Sequence, residues 1–236
     1  MNIQVVDLGL TDYKYCWELQ QNIFNLRVAG KISDVLLLSE HNHVYTLGKS
    51  SDNTHLLAGE TELKLTGADV YHIDRGGDIT YHGPGQLVGY PILDLNNYYL
   101  DTHRYLRDLE EVIIQTLKDF GINGHREENY TGVWVGSEKI AAIGVKVSRW
   151  ITMHGFALNV NTNLSYFDRI IPCGIFHKGV TSIERIFGNK LPIQDVIDSV
   201  SSRFGEVLGI HTVTVDKVEF LSAINNLYNK KIECLQ

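Results

Sequence analysis

The chain is poor in cysteine, proline and positive charge, and each shortage excludes something. Its three cysteines, Cys16, Cys173 and Cys234, are too few and too scattered for the disulfide framework of a small secreted domain. With four prolines and no Pro- or Ser-rich stretch, nothing reads as a linker, and a single domain over 1–236 is expected. Lys and Arg number 21 against 28 Asp and Glu, a formal net charge of −7. A general nucleic-acid binder needs a cationic excess to neutralise phosphates, so no nucleic-acid partner is expected. No run approaches the roughly 20 apolar residues that span a bilayer. The opening Met1-Asn2-Ile3-Gln4-Val5-Val6-Asp7 has no basic stretch leading into an apolar one. Neither a membrane partner nor a secretory signal is expected, and the expected compartment is the reducing cytoplasm. A 44% hydrophobic content with 10% aromatics rules out wholesale disorder and implies a packed core.

Periodicity gives an outline of the fold. Thr11 reads as the N-cap of a helix to about Ala29, with Leu19, Ile23 and Leu26 on one face. Asp34 to Leu38, with its Val35-Leu36-Leu37-Leu38 run, reads as a buried strand, and His43 to Leu47, Val70 to Ile73 and Gln86 to Leu95 look extended. Asp101 or Thr102 caps a second helix carrying Tyr105, Leu109, Val112, Ile113, Leu117 and Phe120, which Gly121 ends. Three β-like runs follow: Tyr130 to Val135, Lys139 to Val147 and Ile151 to Val160. Helices are expected from Ile193 to Leu208 and from about Lys217 to Tyr228. Grouped strands between helices indicate α+β with a mainly antiparallel or mixed sheet flanked by helices, without the strict βαβ alternation of a dinucleotide fold.

Chemistry concentrates in a few segments. Arg75-Gly76-Gly77-Asp78-Ile79-Thr80-Tyr81-His82-Gly83-Pro84-Gly85-Gln86 holds four glycines that let backbone amides approach a ligand. It lacks the Gly-Lys-Ser/Thr of a P-loop and the spacing of a dinucleotide fingerprint. Two adjacent turns would explain the glycines alone; the flanking arginine and histidine favour a binding loop. Cys173, between Pro172 and Gly174, reads as a loop thiol, whereas Cys16 and Cys234 read as core filler and a chain-end residue. Lys139 opens an apolar strand; it is either a solvated strand end or, beside Cys173, an ammonium that favours the thiolate. Among ten histidines, His82 is the catalytic candidate because of the loop that holds it. No His-Glu-x-x-His or Cys-x-x-Cys occurs, so no metal is expected, and no Gly-x-Ser-x-Gly elbow marks a serine hydrolase.

Four segments together, Arg75 to Gln86, Lys139-Ile-Ala-Ala-Ile-Gly-Val, His154-Gly-Phe-Ala-Leu-Asn-Val-Asn and Ile171-Pro-Cys-Gly, resemble the lipoyl(octanoyl) transferases in order and spacing. His41 to Gly48 resembles that family's His-Pro-x-Val-Tyr-Thr-x-Gly. The similarity runs from about Val35 to Ser182. It implies the α+β catalytic domain shared with biotin and lipoate protein ligases. The implied activity, the first step of lipoate biosynthesis, moves octanoyl from octanoyl-acyl carrier protein to a lysine of lipoyl-dependent proteins. Those acceptors would be the lipoyl domains of 2-oxoacid dehydrogenase E2 subunits and the glycine cleavage H protein. Carried over by position, Cys173 is the nucleophile and Lys139 lowers its pKa. Arg75, Gly76, Gly77, Asp78, Ile79, Thr80, Tyr81, His82, Ala142, Ile143, Gly144, Gly155, Phe156 and Ala157 bind the acyl group. No cofactor is implied, because thioester exchange needs no ATP. Asp78 stands where glutamine is frequent and Asn42 where proline is. The competing readings are an ATP-dependent lipoate or biotin ligase, a non-catalytic acyl- or carrier-binding protein, and an amidotransferase between lipoyl proteins. Acidic partners would call for a local cationic face, for which Arg75, Lys139, Lys146, Arg149 and Lys178 are placed in or beside these segments. Small Ala141, Ala142 and Gly144 would leave room for an apolar tunnel.

Overall fold

A computed structural model describes residues 2–171 and 179–233; Cys173, His177, Lys178 and Cys234 lie outside the described residues. The first strand, β1 (Asn2–Thr11), alternates between two buried faces, with Ile3 and Val5 entering one hydrophobic cluster and Val6 and Leu8 another. Helix α1 (Tyr13–Val28) follows. Its cap is Asp12, whose carboxylate accepts the Tyr15 N–H at 2.8 Å. Thr11, expected to cap, instead ends β1; a carboxylate is an excellent acceptor for the first-turn amides. Strand β2 (Val35–His41) returns parallel to β1, so one βαβ unit opens the chain, although the sequence showed no such alternation. The continuous Val35–Leu38 run is explained by burial on both faces: Val35 and Leu37 join one cluster, Leu36 and Leu38 the other.

A small sheet follows. It joins β3 (Val44–Leu47), β4 (Asp69–His72) and β5 (Ile79–His82) in the order β4-β3-β5, with α2 (Glu60–Thr66) before β4. Next come β6 (Gln86–Ile92) and α3 (Thr102–Asp119), capped by Asp101 and closed by Gly121 at φ 72°. The chain continues through β7 (His125–Glu127), β8 (Tyr130–Val135), β9 (Glu138–Ser148) and β10 (Ile151–Asn159). It ends with α4 (Ile183–Phe187), α5 (Ile193–Leu208), β11 (His211–Thr214) and α6 (Lys217–Glu233). The large sheet has the order β11-β1-β2-β6-β10-β9-β8-β7. Only its β11-β1 and β1-β2 pairings are parallel, so the sheet is mixed and mainly antiparallel.

Helices α3 and α5 bury Leu109, Val112, Ile113, Val196, Val200 and Phe204 on one face of this sheet. Helices α1 and α6 cover part of the other face through Leu19, Ile23, Leu26, Phe220 and Ile224, in a cluster that also takes in Ile151 and Ala157 of β10. Over β10 and β9 that second face is roofed by the glycine segment, with Gly76 donating its N–H to the Val145 carbonyl at 2.9 Å. A cavity lies beneath that roof. No helix among the described residues is long and apolar enough to cross a membrane.

Candidate acyl-transfer site

The cavity has a volume of about 600 Å³. Residues 75–80, His82, Lys139, 142–144 and 155–157 line it, so segments distant in sequence meet around one space. Tyr81 does not line it. Strand β5 turns that ring into the small-sheet core, where it stacks 4.8 Å from Tyr166 and bonds to His43 Nδ1 at 2.7 Å.

The floor is built by cross-strand pairing. Ala142 lies opposite Ala157, and Gly144 opposite Gly155, which sets small residues side by side on one face of β9 and β10. Ala141 faces away into the helix-covered core and so gives no room to the cavity. Gly144 serves the roof: a Cβ there would come within 2.8 Å of the Gly76 carbonyl oxygen.

Lys139 reaches the cavity through a slip in register. Val133 pairs with Ala141, but the next residue, Trp134, pairs with Lys139. The extra residue, Ile140, reverses the side-chain alternation, so Lys139 joins the Ala142 face instead of following Ala141 into the core. Its ammonium lies 4.9 Å from the Trp134 ring centroid and 3.2 Å from the Thr131 carbonyl oxygen. On its backbone side, Lys139 N–H donates to the Gly179 carbonyl and its own carbonyl accepts from Thr181 N–H. Gly179 is therefore beside Lys139, and Ile171 is fixed by its N–H, which donates to the His55 carbonyl at 2.9 Å.

The glycine segment is fixed by its charged members. Arg75 is buried, with Nη2 donating to the Thr46 carbonyl at 2.7 Å and to Thr46 Oγ1 at 3.0 Å. It lines the cavity while tying the roof to β3. Asp78 Oδ2 lies 2.6 Å from His55 Nδ1, and Oδ1 accepts the Ile79 N–H, which settles the contacts of the residue that departs from the family pattern. His82 Nδ1 meets Gln86 Oε1 at 2.7 Å, and Gln86 Nε2 in turn donates to Asn159 Oδ1. Burial, with the nearby His41, pushes His82 down to about 3, so this imidazole is neutral at pH 7.

Sequence reasoning missed Tyr13, Val88, Tyr90, Trp134 and Thr131, which also line the cavity. They come from elements whose apolar pattern reads equally well as core, so no local signal separates them. His154, also in the wall, bonds to Asp74 Oδ1 at 2.8 Å, and Lys146 Nζ takes Asp74 Oδ2 at 2.5 Å. That hydrogen bond from His154 holds the Asp74 carboxyl well below its usual range. Among the described residues, which leave out Lys178, the expected cationic face is not assembled: Arg75 is buried, Lys146 is paired with Asp74, and Arg149 sits in the β9–β10 turn, far along the strand from Lys139. Cys16 is fully buried and its thiol is pushed up to about 12 by desolvation, as expected of core filler.

Solved structures with this architecture include lipoate-protein ligase A bound with ATP, at TM-score 0.74 and 17% identity over 98% of this chain and 95% of that one. Biotin protein ligase from Aquifex aeolicus aligns at TM-score 0.52 and 14% identity over 88% of this chain and 70% of that one. The fold is thus that of lipoate- and biotin-ligase catalytic domains. Residues 12–205 match the lipoyl protein ligase A/B catalytic domain, and the chain belongs to that family. Closer in sequence is the octanoyltransferase of Rubrobacter xylanophilus, 57% identical over 85% of this chain and 91% of the relative. That of Flavobacterium johnsoniae is 53% identical over 84% and 92%.

Proposed function

We propose that this acyltransferase takes octanoyl from octanoyl-acyl carrier protein onto Cys173 and passes it to a lysine of a lipoyl domain. Among its acceptors would be E2 subunits of 2-oxoacid dehydrogenases and the glycine cleavage H protein. The observation that supports the reading is the backbone pairing of Lys139 with Gly179 and Thr181 at the cavity wall, Gly179 being six residues along the chain from Cys173.

The chemistry follows from these groups. The Lys139 ammonium favours the Cys173 thiolate. The thiolate attacks the donor carbonyl, a carbon–sulfur bond forms to Cys173, and the carrier thiolate leaves and takes up a proton. The amine of the acceptor lysine then attacks this thioester; the carbon–nitrogen bond forms, the Cys173 sulfur leaves, and the amine proton returns to the thiolate–ammonium pair. The first step is a nearly balanced exchange between thioesters and the second is strongly downhill to an amide, so no nucleotide is required. The apolar floor of Ala142 and Ala157 suits the hydrocarbon chain.

The test is incubation with octanoyl-acyl carrier protein without ATP, followed by intact mass measurement in acid. An octanoyl adduct that disappears in Cys173→Ser supports the reading. Absence of an adduct, with acylation appearing only when ATP and free octanoate are supplied, would replace it with an acid-activating ligase.

A further inference from the structure

On the β8 side of Lys139 the cavity is lined by Asn129, Tyr130 and Thr131, and on the other side it crosses the sheet toward β6. Travelling along β9 from Lys139, the floor is free at Ala142 but covered at Gly144, where Gly76 sits within 2.8 Å of a would-be Cβ and bonds to Val145. Across the strands the floor stays open: Ala142 on β9 lies opposite Ala157 on β10, which lies opposite Val88 on β6. The row continues to Ser39 on β2, whose hydroxyl bonds to the Gly9 and Glu40 carbonyls and which is not part of the cavity. Side chains therefore grow from methyl at Ala142 and Ala157 to isopropyl at Val88, and there the cavity stops.

The wall beside Val88, along the same strand, is held in place. Tyr90 is buried, with its hydroxyl 2.6 Å from His41 Nε2. His41 Nδ1 faces the Thr11 carbonyl at 2.8 Å, which can only accept, so Nε2 accepts from the tyrosine. Tyr13, the first residue of α1, stacks on His82 with centroids 5.9 Å apart. Both rings line the cavity.

We infer that Val88, at the far end of the Ala142–Ala157–Val88 row, is the residue that limits acyl-chain length. From β9 to β6 the row crosses two inter-strand spacings, about 10 Å. An extended octanoyl chain, with carbon–carbon bonds of about 1.5 Å, reaches about 9 Å from its carbonyl carbon to its methyl. An octanoyl group whose carbonyl sits over β9 on the Lys139 side spans the floor and brings its methyl to Val88, while two further methylenes meet the isopropyl group and the Tyr90 ring. By the same geometry Ala142 does not discriminate between chain lengths. At the reactive end, a bulky residue at 142 obstructs every acyl chain, whereas one at Ala157 obstructs the far half of octanoyl and spares shorter chains.

This inference rests on the acyl-transfer reading, and one experiment separates the two. Initial rates of acyl transfer to a lipoyl domain are measured with hexanoyl-, octanoyl-, decanoyl- and dodecanoyl-acyl carrier protein for the unmodified chain, Val88→Ala and Ala157→Leu, with thermal melts to establish folding. Val88→Ala is expected to raise the decanoyl-to-octanoyl ratio of kcat/KM about ten-fold, and Ala157→Leu to raise the hexanoyl-to-octanoyl ratio by a similar factor. If Ala157→Leu does not fold, Val88→Ala decides alone. A folded Val88→Ala with the unmodified chain's ratios overturns the length-limiting role while leaving acyl transfer intact. No transfer from any donor by the unmodified chain overturns the acyl-transfer reading, and this inference with it.

Discussion

Glu110, in the middle of α3 and 1% exposed, accepts the backbone N–H of Gly132 on β8 at 3.0 Å. Its second oxygen receives Arg107 at 2.7 Å and Arg126 at 3.1 Å. Gly132 follows Thr131, whose carbonyl holds the Lys139 ammonium, so a buried carboxylate on a helix fixes the backbone that presents a lysine across the sheet. Glu110→Ala is expected to destabilise the chain by about 2 kcal/mol, because it orphans a buried amide and takes a carboxylate from Arg107 and from Arg126, which keeps its pair with Glu111. Glu110→Gln keeps an oxygen for Gly132 and should retain more of the acyl-transfer rate. Urea denaturation with paired rate measurements checks both, and equal rates for the two variants would remove Glu110 from the positioning chain.

Asp78 and His55 form a second support. His55 carries the Asp78 carboxylate on its ring and the Ile171 N–H on its carbonyl, so the chain is braced just before the segment that contains Cys173. Asp78→Ala is expected to slow formation of the octanoyl adduct by about ten-fold at a stability cost near 1 kcal/mol, the value of one hydrogen bond. Asp78→Asn, which can still accept from His55, should recover most of the rate. Adduct accumulation followed by mass over time measures this, and a rate unchanged in Asp78→Ala would show that the brace is dispensable.

The ammonium of Lys139 predicts a shift in thiol chemistry. Removing a nearby cation withdraws stabilisation from the thiolate, so Lys139→Ala should raise the pH at which Cys173 alkylates. The measurement is the iodoacetamide rate against pH in a Cys234→Ser background, with Cys16 silent because it is buried and its thiol is pushed up to about 12. An unchanged profile removes Lys139 from this role.

Gly144 tests the roof. Its φ lies outside the left-handed region, so alanine suits the backbone, but the new Cβ would stand 2.8 Å from Gly76 O and 3.2 Å from Arg75 Cδ. Overpacking of this kind costs about 1–3 kcal/mol, and here relief means lifting the glycine segment off β9. Gly144→Ala should therefore lower octanoyl loading at least ten-fold while costing no more than that in stability. Loading equal to the unmodified chain would mean the roof adjusts freely.

The sequence was most legible where one element has one face to bury. The α3 stripe from Tyr105 to Leu117 and the β8 alternation predicted their elements closely, since period 3.6 and period 2 are local properties. Strand β1 was missed because both of its faces are buried and its residues show no polar side. Strand β5 was hidden inside a run that reads as two turns. In the site, the glycine segment and Lys139 were visible because small residues and a lone cation stand out among apolar neighbours. Tyr81 was misplaced because β5 alternates, sending His82 and Thr80 to the cavity and Tyr81 to the opposite core. The register slip that turns Lys139 inward, and the row ending at Val88, depend on strand neighbours distant in sequence and leave no local trace.

Two buried imidazoles give a pH dependence whose sign can be worked out. Burial lowers His41 from 6.5 to about 4, and burial with the charge of His41 lowers His82 to about 3. Above pH 6.5 both are neutral in folded and unfolded chains and contribute nothing to the slope. As the pH falls below 6.5 the unfolded chain binds protons that the folded chain refuses until about pH 4, so the unfolded state gains and stability falls. Each histidine contributes up to about 1.4 kcal/mol per pH unit within that window. Asp74, whose carboxyl is held low by His154, acts in the same direction only at lower pH, where an unfolded aspartate takes its proton. Melting temperature measured from pH 7 to pH 4 should therefore decline steeply for the unmodified chain and more gently for His82→Gln, whose side chain can still bond to Gln86 but takes up no proton. Parallel declines for the two proteins would show that His82 is not among the groups that resist protonation in the folded state.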